Sequence, residues 1–410
     1  MSIAVIEMSK FLYELPPDRI AAYPLDERDA SKLLRYVSSN NEITHHSFVD
    51  LPGLLPANSM LLANSTRVMA ARVFAVKPTG GRVEVLLIDP VAPFTDPAVV
   101  MSSELGSTWN CMMGGRNIHP GMVLTHDVAD LTIRVIDRTG TAAVVELHWQ
   151  AGLTLAQLLG HIGTLPLPPY LHREVEEVDA DRYQTVYARE QGSVAAPTAG
   201  LHFTDRVLEN IRQRGIVSEM LTLHVGIGTF QPVTADDARD HAMHAERFGV
   251  SRTTIESLAR HFQSAQPWLT VVGTTSLRTI ESLFALGARI AQGATIEVGT
   301  VHIDQWSAFD ISLQTINREV AFEALVEWMR SHDVSTLWGT TSIMLAPGCR
   351  IAVADALITN FHQPGNTLML LVAAFVGHPQ WKSIYASALS NNYRFLSYGD
   401  SSLLVRSQPA

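Results

Sequence analysis

The clearest arrangement of residues for binding an anion lies where a predicted strand meets a predicted helix. The apolar residues 269–272 are followed by Gly273, by the hydroxyl residues Thr275 and Ser276, and then by Arg278. Backbone N–H groups and the positive end of the helix dipole at such a junction suit a carboxylate or a phosphate. The same residues also fit an ordinary hydroxyl N-cap with the arginine on the surface, and the sequence leaves that alternative open.

Further polar residues stand where they could take part in catalysis. Glu281 follows Arg278 by three residues, so on a helix it could pair with that arginine or do acid–base work. Asn360 and His362 come after an apolar run at 351–353, in which we predict a strand. Polar groups between apolar residues belong either to a satisfied core network or to the wall of a site, and periodicity does not separate the two.

A group of histidines raises the question of a metal site. His241 and His244, followed by Glu246, would share one face of a helix, and His224 lies upstream. The spacing is not His-Glu-x-x-His, so we favour hydrogen-bonding or acid–base histidines and predict no metal ligand. The Gly-x-Gly at 226–228 lacks the third glycine of a dinucleotide fingerprint. The absence of Gly-Lys-Ser/Thr and Gly-x-Ser-x-Gly sequences argues against an ATPase and an α/β-hydrolase.

Basic residues dominate one short stretch of an acidic chain. The protein has 30 Lys and Arg against 40 Asp and Glu, a formal charge of −10, so contact with nucleic acid requires a local basic patch. Arg67, Arg72, Lys77 and Arg82 form such a stretch, with no acidic residue between 65 and 83. They are either a solvated face of a sheet or a row of phosphate contacts, and we predict that they bind nucleic acid.

Two kinds of structure must position these residues. From about 66 to 150, β-branched segments alternate with turn residues, which is typical of a small β-barrel or sandwich. Strands are predicted at 68–76, 83–88, 109–113, 122–125, 131–136 and 142–149.

Strands and helices alternate in the second half of the chain. The strand at 269–272 is followed by a predicted helix over 277–286, and a second, amphipathic helix is predicted over 317–332. We predict an α/β fold in which a discontinuous α/β domain, residues 1–63 plus 159–410, carries an inserted small antiparallel β-barrel domain at 64–158. Two consecutive domains are the alternative.

Composition limits the class of protein. With 410 residues, of which 47% are hydrophobic and 17% charged, the chain is long enough for two globular domains. Cys111 and Cys349 form no Cys-x-x-Cys pair, as expected in a reducing compartment. The N-terminus has no signal-peptide pattern, and the apolar run 368–376 is about half of the roughly 20 residues that span a membrane. We expect a cytoplasmic protein with no membrane partner.

Motifs along almost the whole chain resemble the S-adenosylmethionine:tRNA ribosyltransferase-isomerase family of queuosine biosynthesis. These motifs are RDAS at 28–31, KPTGG at 77–81, VEVLL at 83–87, LPLPPY at 165–170, RYQTVYA at 182–188, GSVAAPTAGLHFT at 192–204, HVGIGTFQPV at 224–233, GTTSLRTIES at 273–282 and LITNFH at 357–362. The resemblance implies an α/β domain with an inserted β-barrel. It also implies that S-adenosylmethionine gives its ribosyl moiety to 7-aminomethyl-7-deazaguanine at the tRNA wobble position, yielding epoxyqueuosine-tRNA, adenine and methionine.

The resemblance further implies partners and residue roles. The partners are the anticodon arm of a tRNA and S-adenosylmethionine, which is consumed as a co-substrate, and no other cofactor is implied. In the family's proposed chemistry a base removes a proton from the carbon beside the sulfonium. Catalytic roles are implied for His202, which we expect to be the base, and for His224, Glu281 and His362. Substrate-binding roles, with the methionine carboxylate at the helix start, are implied for Thr198, Gly273, Thr275, Ser276, Arg278 and Asn360.

The chain also departs from the family's pattern. Ser65 stands where Asp is usual, Cys349 where Tyr is common, and Gly365 and Asn366 where Lys-Ser is common. The stretch from about 293 to 338 is longer than in the shorter members. A non-catalytic tRNA-binding paralogue is therefore an alternative, and a metal-dependent hydrolase built on the histidine group is a more remote one. The sequence leaves open whether the protein is a monomer or a homodimer.

Overall fold

The computed structural model describes residues 3–104, 106–226 and 233–406. In these residues the strands are β1 (Lys32–Val37), β2 (Glu42–Ser47), β3 (Met60–Asn64), β4 (Thr66–Val68), β5 (Arg72–Val76), β6 (Arg82–Ala92), β7 (Ser107–Met113), β8 (Val123–His126), β9 (Leu131–Thr139), β10 (Ala142–His148), β11 (Glu190–Ser193), β12 (Val217–Leu223), β13 (Glu246–Ser251), β14 (Leu269–Val272), β15 (His302–Ile303), β16 (Thr336–Thr341), β17 (Ala356–Asn360) and β18 (Ser401–Val405). The α-helices are α1 (Leu51–Leu54), α2 (Pro97–Met101), α3 (Leu155–Ile162), α4 (Asp179–Arg182), α5 (Asp205–Gln213), α6 (Arg252–Phe262), α7 (Gly273–Ala291), α8 (Arg318–Ser331), α9 (Thr367–Val376) and α10 (His378–Ser390).

One compact unit contains a ten-stranded mixed sheet in the order β15-β16-β13-β12-β3-β14-β17-β18-β1-β2. Its centre, β12-β3-β14-β17, is parallel, and Met60 of β3 lies opposite Val217 of β12 on one side and Leu269 of β14 on the other. Every residue of β3, β14 and β17 is buried. Parallel strands covered on both faces carry apolar runs of this kind, which explains why the sequence predicted β14 correctly.

The helices follow from local sequence signals. The side chain of Asn317 accepts a hydrogen bond from the Val320 N–H at 2.9 Å and starts α8, so the helix predicted over 317–332 is confirmed within one residue at each end. Helix α7 is longer than predicted, because it begins directly at Gly273 and continues to Ala291. Within the described part of the chain, every helix is too short or too polar to span a membrane.

The second compact unit contains a closed antiparallel barrel in the order β10-β7-β6-β5-β8-β9. Alternate residues of each strand face a buried core that includes Val85, Trp109, Ile133 and Val145. The strand period of two explains this alternation and made the segment recognisable in the sequence. The α/β fold class with a small antiparallel β-barrel is confirmed.

The compact units differ in extent from the predicted domains. Thr66–Gln184 and Arg189–Ala196 form the barrel unit, and Met1–Ser65, Thr185–Ala188 and Pro197–Ala410 form the other. The chain beyond residue 158 stays with the barrel for a physical reason. Leucines of α3 join the barrel core, and the Gln184 side chain hydrogen-bonds the backbone of Val68 at 3.0 and 2.9 Å.

Two predicted strands are wrong in detail. The segment 68–76 is divided between β4 and β5, and 351–353 forms no strand, because the strand of that region is β17. The backbone amides of Ala352 and Val353 donate instead to the carboxylate of Glu281, at 2.8 and 3.0 Å. A side chain far away in sequence thus satisfies N–H groups that a strand would have paired.

Candidate active site

Four parallel strands bring predicted site residues to one edge of the large sheet. Strands β12, β3, β14 and β17 are neighbours, and at their carboxyl ends stand His224, Ser65, Gly273 and the segment Asn360–His362. In open α/β sheets ligands bind outside the carboxyl ends of the strands. Residues that are far apart in the sequence therefore share the edge at which this fold type places its sites.

The start of α7 has polar groups that no described residue satisfies. Gly273 begins the helix with a φ of +87°, a conformation that favours glycine, and no side chain caps the helix. The hydroxyls of Thr275 and Ser276 are buried and have no hydrogen-bond partner within the described residues. The alternative reading as an ordinary hydroxyl N-cap is therefore wrong, and the first-turn N–H groups point to an anion as ligand.

The predicted residue Thr198 lies beside this helix start. It begins the 3₁₀ turn Thr198–Gly200, and a Cβ placed on Gly273 would be 3.7 Å from the Cβ of Ala199 in that turn. The turn therefore closes one side of the space around the first residue of α7. The turn that begins with Thr198 thus lies beside Gly273, and a substrate-binding role for Thr198 stays a prediction.

Arg278 lies one turn further along α7 and is 6% exposed. Its Nη1 donates to the carboxylate of Glu246, and its Nε donates to the carbonyl of Ile343 at 3.1 Å. Its Nη2 has no hydrogen-bond partner in the part of the chain that the structure describes. A buried guanidinium that is held on two sides and has an unused N–H group on the third can bind a carboxylate or a phosphate.

Glu281 is not the partner of Arg278. Its carboxylate accepts the backbone N–H groups of Ala352, Val353 and Ala354 at 2.8, 3.0 and 3.4 Å. Burial raises the pKa of Glu281, and these hydrogen bonds oppose that rise. Glu281 holds the 352–354 segment through these hydrogen bonds, and the acid–base role expected from the sequence stays a prediction.

His202 is the centre of a hydrogen-bonded chain of side chains. Its Nδ1 is 2.9 Å from the Ser31 hydroxyl, and its Nε2 is 3.4 Å from Oδ1 of Asn360. The Asn360 amide nitrogen donates to the carbonyls of Leu396 and Ser397 at 2.9 and 3.2 Å, which turns its oxygen toward the imidazole. The imidazole therefore carries its proton on Nε2 and accepts the Ser31 hydroxyl at Nδ1.

This environment disfavours the role of general base for His202. Both ring nitrogens are engaged, and burial lowers the pKa of His202 to about 4. A neutral ring of such low pKa is a weak base near pH 7, and the nitrogen that could take a proton already accepts the Ser31 hydroxyl. His202 therefore has the environment of a neutral, oriented imidazole next to Asn360 at the end of β17, and its role as the base stays a prediction.

The remaining two predicted histidines occupy opposite sides of the same strand edge. His362 Nε2 is 3.0 Å from the Thr359 hydroxyl, and burial lowers the pKa of His362 to about 3. His224 is buried, and its ring stacks on Trp338 with centroids 6.4 Å apart and planes 8° from parallel. The guanidinium of Arg247 lies 4.8 Å from the centroid of the same tryptophan ring.

Comparison with known proteins identifies the family. A model of the queuosine biosynthesis protein family matches residues 8–404. The chain belongs to this family. It is 38% identical over 406 residues to a protein of Azoarcus sp. named S-adenosylmethionine:tRNA ribosyltransferase-isomerase, with 99% of each chain covered. A protein of the same name from Aromatoleum aromaticum is 38% identical over 405 residues, again with 99% of both chains covered. A crystal structure of S-adenosylmethionine tRNA ribosyltransferase from Thermotoga maritima is 23% identical, with 97% of this chain and 100% of its own covered and a TM-score of 0.47.

The histidine group of this family member is not helical, so His241 and His244 share no helix face. Residues 241–245 have neither helix nor strand, and Glu246 pairs with Arg278. Among the described residues, no group of three His, Cys, Asp or Glu side chains is placed to hold a metal ion. Gly228, of the Gly-x-Gly motif, lies outside the described residues.

The predicted basic residues of this family member lie in the barrel unit and differ from one another in environment. Arg72 forms an ion pair with Glu84 at 3.0 Å, because β5 and β6 place these side chains on one outer face. The guanidinium of Arg82 covers the Phe74 ring at 3.9 Å. Lys77 donates to the carbonyl of Arg116, and Arg67 is exposed on β4. An acidic residue just beyond the basic stretch thus neutralises part of its charge.

Sequence reasoning missed Ser31, Ile343 and Trp338 as neighbours of site residues. Ser31 belongs to the RDAS motif at 28–31, which carried the family resemblance, so a signal for it existed. Ile343 contributes only a backbone carbonyl, which no side-chain pattern can reveal. Trp338 lies on β16, and its proximity to His224 depends on sheet order.

Proposed function

We propose that this protein is an S-adenosylmethionine:tRNA ribosyltransferase-isomerase. It transfers and isomerises the ribosyl moiety of S-adenosylmethionine onto 7-aminomethyl-7-deazaguanine at the tRNA wobble position, and it releases adenine and methionine. The observation that carries the proposal is the 38% identity to a protein of that name over 99% of both chains. S-adenosylmethionine is consumed as a co-substrate, and the proposal includes no further cofactor and a cytoplasmic location.

The proposed donor site is the start of α7 together with Arg278. S-adenosylmethionine carries an α-carboxylate, which fits the uncapped helix start and the Nη2 of Arg278. The buried hydroxyls of Thr275 and Ser276 would donate hydrogen bonds to the same anion. This arrangement leaves the ribosyl and adenine parts of the donor free to extend along the carboxyl edge of the sheet.

His202 is proposed to act as a neutral imidazole near the donor. The sulfonium of S-adenosylmethionine is positively charged, so an imidazolium beside it would oppose binding. The low pKa of His202, about 4, avoids that repulsion near pH 7. The acid–base role is proposed for His224, whose buried ring lies at the same sheet edge as the start of α7.

The barrel unit is proposed to contact the anticodon arm of the tRNA. Arg67 and Arg82 are exposed on its strands, and each can contact a phosphate group. Arg72 and Lys77 belong to the same proposed surface.

The test is a product assay with purified protein, S-adenosylmethionine and an anticodon stem-loop bearing 7-aminomethyl-7-deazaguanine. Adenine and methionine are quantified by chromatography, and the RNA is measured by mass spectrometry. We expect both products in equal amounts, with the matching gain in RNA mass. Tight RNA binding without product release would instead support a non-catalytic tRNA-binding paralogue.

A further inference from the structure

The segment 301–305 lies within the stretch 293–338, for which the sequence suggests no role. It runs beside the end of β16, and three backbone N–H groups donate to its carbonyls. These pairs are Thr340 to Val301 at 3.0 Å, Ser342 to Ile303 at 2.9 Å and Met344 to Gln305 at 2.8 Å. Because successive residues of an extended chain direct their polar groups to opposite sides, the carbonyl of Ile343 faces away from this segment. Arg278 Nε donates to that carbonyl at 3.1 Å.

The side chain of Gln305 also holds the loop that leads into β13. Its Oε1 accepts the Met243 N–H at 3.0 Å, and its Nε2 donates to the His241 carbonyl at 2.7 Å. Residues 241–245 have no helix or strand that would otherwise fix them. The loop ends at Glu246, whose carboxylate is the second partner of Arg278.

Gln305 therefore holds the segments next to both acceptors of the Arg278 guanidinium, which are the Ile343 carbonyl and the Glu246 carboxylate. Its main chain fixes Met344, next to the Ile343 carbonyl, and its side chain fixes the approach to Glu246. Register supports the connection, because Glu246 lies opposite Thr341 across the β13–β16 pair. The two acceptors of Arg278 thus stand at the same end of two paired strands.

We propose that Gln305 is a positioning residue for S-adenosylmethionine binding, an inference that rests on the proposed donor site at Arg278. Gln305 does not contact the donor. It sets the position of Arg278 through the 241–245 loop and, by its main chain, through the carbonyl of Ile343.

The first test replaces Gln305 by a residue of similar length that makes neither side-chain hydrogen bond, Gln305→Met. We expect the KM for S-adenosylmethionine to rise about tenfold, as loss of two hydrogen bonds allows, with kcat within about twofold. Gln305→Glu keeps an acceptor for the Met243 N–H but sets a carboxylate oxygen against the His241 carbonyl, so it should raise the KM at least as much. The matched control is His302→Ala, which removes a side-chain hydrogen bond to Thr340 from the same segment and should leave both constants unchanged.

A second test asks whether Gln305 acts through Arg278. In an Arg278→Lys background, Gln305→Met should change the KM by less than about twofold, because residues that act through one another are not additive. Hydrogen exchange supplies a readout that is independent of turnover. The Met243 amide should exchange faster in Gln305→Met and at the wild-type rate in His302→Ala.

The outcomes separate the inference from the proposed function. If Arg278→Lys leaves the KM for S-adenosylmethionine unchanged, the proposed donor site is wrong. If Arg278→Lys raises the KM but Gln305→Met does not, the donor site stands and the role of Gln305 is wrong. A Gln305→Met effect that is fully additive with Arg278→Lys, or one confined to kcat, also overturns the inference.

Discussion

Two parts of helix α7 differ in whether their buried polar side chains have hydrogen-bond partners. In the first two turns, the hydroxyls of Thr275 and Ser276 and the Nη2 of Arg278 are buried with no partner among the described residues. Less than one turn later, the Glu281 carboxylate accepts three backbone N–H groups. Since a buried polar group without a partner is costly, we propose that the first part binds a ligand, whereas the Glu281 carboxylate of the second part already has its hydrogen-bond donors.

Both ring nitrogens of His202 also have hydrogen-bond partners within the protein. Ser31 and Asn360 engage both of its nitrogens, although the family resemblance made it the expected base. Residue type and sequence motif therefore do not distinguish a polar group that is free to bind a ligand from one whose hydrogen bonds stabilise the fold. The distinction lies in whether the polar atoms of a residue already have hydrogen-bond partners within the protein.

The largest effect is expected for Arg278→Lys. Lysine keeps the positive charge near Glu246 but loses the forked N–H groups, so kcat/KM for S-adenosylmethionine should fall about hundredfold. The control is Arg289→Lys near the other end of α7, where the arginine hydrogen-bonds Ser307. Steady-state kinetics with adenine release as the signal provide the measurement. Equal losses in both variants would mean that the start of α7 has no special role.

A smaller, purely structural effect is expected for Glu281→Gln. The new amide must place an NH₂ group against backbone donors of the 352–354 segment, so the free energy of unfolding should fall by about 2 kcal/mol. The KM for S-adenosylmethionine should stay within about twofold of the wild-type value. Denaturant titration and steady-state kinetics measure the two quantities. A KM that rises as much as in Arg278→Lys would contradict the separation of the two parts of α7.

The free energy of unfolding should depend on pH through His202, because this residue is neutral in the folded protein. Its pKa is about 4 in the folded protein against an ordinary value of 6.5, so between these values the unfolded chain binds the proton more strongly. Stability is therefore lost as the pH falls from about 6.5 toward 4. Between pH 7 and pH 5 the wild type should lose about 2 kcal/mol more than His202→Gln. Parallel curves for the two proteins would show that His202 titrates normally.

Much of the fold was predictable because its signals are local. The alternation of apolar and polar residues in β6, β7 and β10 indicates the wall of a barrel. The apolar run of β14 indicates a buried parallel strand, and Asn317 indicates the start of a helix. The barrel unit extends past residue 158 because Gln184 bonds Val68, a contact across more than a hundred residues that no local pattern records.

The location of the candidate site was predictable from the sequence, but the hydrogen-bond partners of its residues were not. Gly273 and Arg278 follow β14, which the sequence predicts, whereas Asn360 ends β17, a strand that the sequence misplaced at 351–353. The parallel order of β14 and β17 brings Gly273 and Asn360 to one edge of the sheet. The partners of Arg278 are an acidic residue from another strand and a backbone carbonyl, so neither could be read from spacing. Likewise, no signal near Glu281 shows that its carboxylate replaces a strand at 351–353.

The smallest effect is expected in the barrel unit, where paired and exposed arginines can be compared. Arg72 is paired with Glu84, whereas Arg67 is exposed on β4, so only the second has its full charge to offer to a phosphate. For binding of the anticodon stem-loop, Arg67→Ala should reduce the slope of log K against log salt by about 0.9, as expected for one lost phosphate contact. Arg72→Ala should change the slope by less, because the ion pair with Glu84 already neutralises the charge of Arg72. Fluorescence titrations at several salt concentrations measure the slopes. If Arg67→Ala leaves the slope unchanged, these residues form a solvated face of the barrel, and the tRNA must bind elsewhere.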